Sequence, residues 1–277
     1  MTAKTKLNIV SNNGGTLFLV PFPQFPNAEV PDLSAASNSQ QFDLGTRYVY
    51  GGRTFHYAKS AGTCNPEVGA YKAKKTNTVA VAPTQATGAG SAGDYYVTVT
   101  IDTEIGVLTT GVLSENELAG GYIVIGNGSA QHPQMRLIVS HPALTSTGGS
   151  LTVKLDIPLT SDVTAATTTI ELMENPYYNV LADNSGGDYV TFIGVPSVVA
   201  TTNQYFWLQT WGPCWITSDG NTCDSARDRT IVFVGNGSVV SSNDQTLESG
   251  FQMAGVALDM SGSSASNAPM VLLQITP

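Results

Sequence analysis

The chain has 277 residues, a formal net charge of -9 and only 12% charged side chains. That scarcity of Glu, Lys and Arg argues against a protein with exposed helices, and its plentiful Gly, Ser, Thr and Ala suit strands joined by many turns. All seven lysines lie at or before Lys154, and residues 155–277 set 12 acids against Arg227 and Arg229, which makes that half a poor surface for nucleic acid.

No run of about 18 apolar residues is present, so no transmembrane helix is expected. No apolar segment precedes Ser11-Asn12-Asn13, so no secretory signal is expected either. The sequons Asn127-Gly128-Ser129 and Asn236-Gly237-Ser238 then read as turns. Residues 1–45 read as an extended arm, because Pro21, Pro23, Pro26 and Pro31 break helices and deny ladder bonds. Its apolar Phe18, Phe22 and Phe25 suit a groove on a neighbouring subunit.

Residues 46–58 form the clearest hairpin. Gly51-Gly52 can both take φ > 0, as a type I′ turn requires. That register sets Tyr50 opposite Arg53, Tyr48 opposite Phe55 and Arg47 opposite His56. Residues 76–93 read as a linker. Tyr95, Val97, Val99 and Ile101 then alternate with polar residues and are expected to face inward. Ser114–Glu117 fits a capping box with room for one helical turn. Strands are expected at 122–125, 135–139 and 151–157, and in the acidic half at 168–173, 189–194, 204–211, 230–234, 251–259 and 270–276. The segments Ile123–Ser129 and Val232–Ser238 echo each other, as two hairpin turns built alike.

The strongest single stretch is Gln204–Trp215, which holds all three tryptophans. With period two, Tyr205, Trp207, Gln209 and Trp211 share one face, and Phe206, Leu208 and Thr210 the other. Large residues on both faces predict a strand covered on both sides. Gly212-Pro213 is expected to end the pairing, since proline has no N–H for a ladder, and to turn the chain into a hairpin at Asp219-Gly220. Trp207 is expected to be buried, with Trp211 and Trp215 left for a subunit or capsid interface. The fold class that follows is all-β, with very little helix: two antiparallel β units, sandwich or barrel-like, at 46–160 and 161–277, after the arm 1–45.

Candidate chemistry is sparse. His56, His132 and His141 lack zinc-ligand spacing and read as structural. Asp183–Asp188 is the best oxygen-rich loop for calcium, but it lacks the EF-hand spacing and reads as a solvated turn. Asp219, Asp224 and Asp228 admit a two-carboxylate glycosidase reading, and read equally well as polar loop tips. The tryptophans could stack on sugars; packing is the stronger reading. Cys64, Cys214 and Cys223 read as free thiols, since a hairpin at Asp219-Gly220 makes Cys214 and Cys223 diagonal neighbours, about 7–8 Å apart. No catalytic residue, cofactor or metal is assigned.

Several stretches, in order, carry a resemblance. They are Asp43–Thr46, Gly51–Lys59, Glu115–Tyr122, Asn175–Tyr178, Gly194–Pro196 and Tyr205–Pro213. Together the chain resembles the capsid decoration, or cement, proteins of tailed bacteriophages. The resemblance implies a non-enzymatic virion protein on the capsid exterior, assembled in the host cytoplasm. Its implied partner is the major capsid protein, as a homotrimer, with no membrane and no direct nucleic-acid contact. A tail or fibre component binding host carbohydrate, and a carbohydrate-active β enzyme, are the alternatives.

Overall fold

The computed structural model describes residues 9–12, 15–19, 30–72, 84–85, 90–100, 112–127, 133–145, 149–163, 168–182, 191–219, 229–243, 251–258 and 269–277. Among them every regular element is a strand, and all the named strand pairs are antiparallel. The protein is all-β. Two units divide the chain: Met1–Ala73 with Tyr177–Pro277, and Lys74–Pro176 between them. This differs from the expected boundary at 160/161. Residues 46–73 group with the C-terminal strands because the first long hairpin pairs with the tryptophan strand, a long-range partner that no local pattern reveals.

The discontinuous unit holds β1 (Ile9–Asn12), β2 (Gly15–Phe18), β3 (Arg47–Tyr50), β4 (Arg53–Lys59) and β5 (Ala70–Lys72). After the inserted unit it continues with β12 (Val180–Leu181), β13 (Phe192–Pro196), β14 (Tyr205–Trp215), β15 (Thr230–Phe233), β16 (Val239–Ser241), β17 (Met253–Ala257) and β18 (Met270–Gln274). The main path runs β1-β2-β3-β4-β14-β18-β17-β15-β16, and β13 joins β14 to the β5–β12 pair. Residues 217–219 close the far end: Val239 N–H donates to Thr217 O, and Asp219 N–H to Val239 O. At the other end, β1 and β2 extend the sheet beyond β3, so this part of the expected arm is paired strand.

The β3–β4 hairpin forms as its sequence dictates. Gly51 and Gly52 take φ of 58° and 75°, and Tyr50 faces Arg53, Tyr48 faces Phe55 and Arg47 faces His56. Strand β14 is the hub. From Tyr205 to Trp211 it pairs with β4, while Leu208 and Gln209 also face β13 on the other side. From Trp211 to Trp215 it pairs with β18.

The strand therefore runs through Gly212-Pro213 instead of ending there. Ile216 N–H donates to Pro269 O, so residues of even number turn their amides toward β18. The nitrogen of Pro213 points to the opposite edge, beyond the end of β4, where no ladder donor is needed. Gly212 sits at φ +91°, and a Cβ there would lie 2.4 Å from Gly52 O. The Gly51-Gly52 turn thus rests on the glycine where β14 changes partners. Gln209 Nε2 secures this change by donating to Trp211 O at 3.2 Å and Pro213 O at 2.7 Å.

The inserted unit holds β6 (Thr84–Gln85), β7 (Tyr96–Thr100), β8 (Tyr122–Asn127), β9 (Gln134–Ser140), β10 (Ser150–Leu155) and β11 (Thr168–Met173), in the order β6-β11-β8-β9-β10-β7. Alternation works here as expected: Val97, Val99, Leu151, Val153 and Leu155 face one core with Ile123, Ile125 and Ile170. Tyr95, expected inward, precedes β7 and is about half exposed, and Ile157, the end of the strand expected at 151–157, follows β10 and is about half exposed too. The capping-box segment forms a turn and no helix, although Glu117 still accepts the Ser114 N–H through its carboxylate at 2.9 Å. Ile101 lies outside the described residues.

Candidate interaction surface

The tryptophan strand has two halves with different surroundings. In the first, Phe206, Trp207, Leu208, Gln209 and Thr210 are all buried. Trp207 is 2% exposed and sits among Phe42, Tyr57 and Tyr48, with ring centroids at 5.3, 5.1 and 6.0 Å. In the second half the alternation becomes one-sided. Gly212, Cys214 and Ile216 turn inward, while Pro213 and Trp215 turn to solvent and Trp211 is half-buried.

Neighbouring strands extend that outer face. Trp215 lies opposite Met270 on β18, and Leu258 N–H donates to Met270 O at 2.7 Å, so Trp215, Met270 and Leu258 form one row. Their exposures are 47%, 41% and 47%. The next row is Pro213, Leu272 and Val256, with Val256 36% exposed. No residue of either row carries a charge. Contiguous exposed apolar side chains make this face the candidate for association, and Trp and Met are enriched in interfaces.

Of the residues singled out in the sequence, Trp211 and Trp215 belong to this face. Phe18 does not. It lies on β2, under the Arg47 guanidinium at 4.1 Å from the ring centroid, with β3 and β4 between β2 and β14. Phe22 and Phe25 lie outside the described residues. Met270, Leu272, Val256 and Leu258 were missed. Their signal was the alternation of Met270 and Leu272 with Val271 and Leu273, which gives a face but not its neighbours. With Trp207 in the core, the three tryptophans do not form an exposed ladder for a sugar.

The two described histidines are structural. His56 is buried, stacked on Tyr177 at 4.8 Å, and its Nδ1 lies 3.0 Å from Thr210 Oγ1. Thr210 spends its own proton on Thr276 O at 2.6 Å, so His56 Nδ1 is the donor. Burial, and then the nearby Arg47 charge, push this imidazole down to about 4. His141 Nε2 accepts the Leu118 N–H at 2.9 Å, and its Nδ1 lies 2.8 Å from Pro142 O, which fixes the neutral Nδ1–H tautomer. Burial lowers its pKa as well, against smaller raising effects from Pro142 O, Glu117 and Glu115. His132 lies outside the described residues.

Cys64 and Cys214 are free and buried, and burial pushes both thiols up to about 12, which suppresses the nucleophilic thiolate. Cys223, Asp224, Asp228 and the Asp183–Asp188 loop lie outside the described residues. Asp219 accepts the Asn236 side-chain amide at 3.1 Å. Among the described residues no group of three or more His, Cys, Asp or Glu could hold a metal ion, and no helix is long and apolar enough to cross a membrane. A shallow groove of about 360 Å³ runs between Val30–Ser34 and the rings of Tyr48 and Tyr50. In it, Asp32 Oδ1 accepts both the Ser34 hydroxyl and the Ser34 N–H, which lower its pKa.

Comparison of the chain with protein-family models, curated proteins and solved structures returns no match.

Proposed function

We propose that the chain is a non-catalytic structural protein of a tailed-bacteriophage virion, which decorates the capsid exterior and stabilises it by bridging major capsid proteins. One observation carries the reading: all but one of the stretches that resemble decoration proteins converge on the β4–β14 pair. Gly51–Lys59 and Tyr205–Pro213 form the pair itself. Asp43–Thr46 lies along it, with Gly45 N–H donating to Tyr57 O and Tyr57 N–H to Thr46 O. Tyr177, within Asn175–Tyr178, accepts the Lys59 N–H and stacks on His56. Gly194–Pro196 belongs to β13, whose Val195 and Pro196 face Gln209 and Leu208. This shared centre supports the reading; Glu115–Tyr122 and Asn175-Pro176 lie apart, in the inserted unit.

A shell protein needs a rigid scaffold and a broad contact, since a standard interface buries about 1,600 Å². The long β14 hub supplies the first. The acidic half is poorly suited to packaged DNA, which supports a position on the outer surface. Purified protein mixed with undecorated capsids is expected to bind to saturation and to appear as added density on the shell by electron microscopy. Bare capsids at saturating protein would sink the proposal.

A further inference from the structure

We infer that the outer face of β14, β18 and β17 is an isologous interface that takes a second copy of this chain. The inference stands apart from the shell reading, puts a dimer in place of the homotrimer that the resemblance implies, and rests on the composition of the face. Interfaces with other proteins are on average no more apolar than the surface at large, whereas homodimer interfaces are richer in apolar area and their centres are poor in charge. Trp215, Met270, Leu258, Pro213, Leu272 and Val256 form such a centre. Polar residues border it, as they do around well-packed interface cores. Gln274 faces the half-buried Trp211 on one flank, and Thr230 faces Val256 on another.

Met270 and Leu258 are more exposed than their neighbours Leu272 and Val256. A two-fold axis lying between the rows, parallel to them, sets each row of one copy on the other row of its partner. Trp215 then covers Pro213, Met270 covers Leu272 and Leu258 covers Val256. Such a face closes on itself with two copies. The chain carries -9, so two copies repel except where they meet without charge. Added salt shortens the reach of that repulsion, from about 10 Å at 0.1 M to about 3 Å at 1 M. Self-association through this face therefore strengthens with salt, opposite to binding of a basic partner.

Sedimentation velocity of the full chain, over a range of concentrations in low and high NaCl, tests the inference. The expected result is a dimer whose dissociation constant falls several-fold in high salt. Met270→Lys and Leu258→Lys alter exposed side chains and are each expected to weaken the dimer at least tenfold. Met135→Lys, equally exposed in the inserted unit, is expected to leave it intact. A monomer at every salt and concentration, a trimer, or a dimer that survives both lysines overturns the inference. Should one lysine variant fail to fold, the other decides. A monomer that still coats capsids removes this interface alone, and a dimer that ignores capsids removes the shell reading alone.

Discussion

The inserted unit and the unit that surrounds it are both antiparallel β, yet they bury different chemistry. The described apolar cluster of the inserted unit is wholly Val, Leu and Ile, in strands with simple alternation, with buried Gln134 and His141 at the two ends of β9. The surrounding unit gathers Phe42, Tyr48, Phe55, Tyr57 and Trp207 in one cluster, and beside β14 it buries polar groups that need partners. Tyr57 Oη accepts the Gln41 N–H, and His56 needs Thr210. An aliphatic core asks only for volume to be filled. A core of aromatic and polar groups also depends on hydrogen bonds.

The largest expected effect separates the two cores directly. Trp207→Ala should cost about 4 kcal/mol through loss of burial and the cavity left behind. Leu151→Ala, with its side chain fully buried in the aliphatic core, should cost about 3 kcal/mol. Hydrogen exchange followed by peptide should show each loss in its own unit. Equal loss of protection in both units from either variant would merge them into one cooperative block.

Acid tests His56 next; His141 of the inserted unit is shifted in the same direction, so the variant and not the unit makes the comparison. His56 is neutral in the folded protein down to about 4, whereas an unfolded imidazole takes up its proton near 6.5. Between these values the unfolded chain binds more protons, so stability falls as pH falls through that window. The full loss is about 3 kcal/mol, complete below the folded value. It should be absent from His56→Asn, which keeps a donor near Thr210 but does not titrate. Denaturant midpoints measured from pH 7 to 4 check the slope; parallel slopes for the two proteins would remove His56 as the cause. The smallest effect belongs to the surface of the inserted unit. Thr98 and Thr152 face each other on β7 and β10, with hydroxyls 3.0 Å apart. Thr98→Val should cost about 0.5 kcal/mol in thermal or denaturant unfolding.

Local patterns made much of this legible. Gly51-Gly52 set a register that the strands follow residue for residue, and the alternation at 97–99 and 151–155 placed the aliphatic core. What failed was sideways information. Nothing near Arg53–Lys59 announces that it pairs with Tyr205–Trp211, so the division into units was misplaced. Pro213 was read as a stop because its missing N–H matters only on the edge where a partner lies, and the register with β18 decides that edge. The Trp215 face was half-legible for the same reason. Trp215 was visible, but its neighbours Met270 and Leu258 come from strands much later in the chain.

The nesting of one unit within the other has a kinetic consequence. Lys72 and Val180, which pair across β5 and β12, are far apart in sequence. Bringing them together from an open chain carries the closure entropy of a loop of roughly 100 residues, about 2–3 kcal/mol beyond that of a short turn. The first and last strands of the inserted unit, β6 and β11, pair with each other, Thr84 against Ile170. Once they have met, the effective loop between Lys72 and Val180 shrinks to the short segments on either side. Synthesis also completes residues 74–176 before β14 emerges. The inserted unit is thus timed to act as a tether, holding the halves of its host close enough for the slow, non-local pairing of β4 with β14.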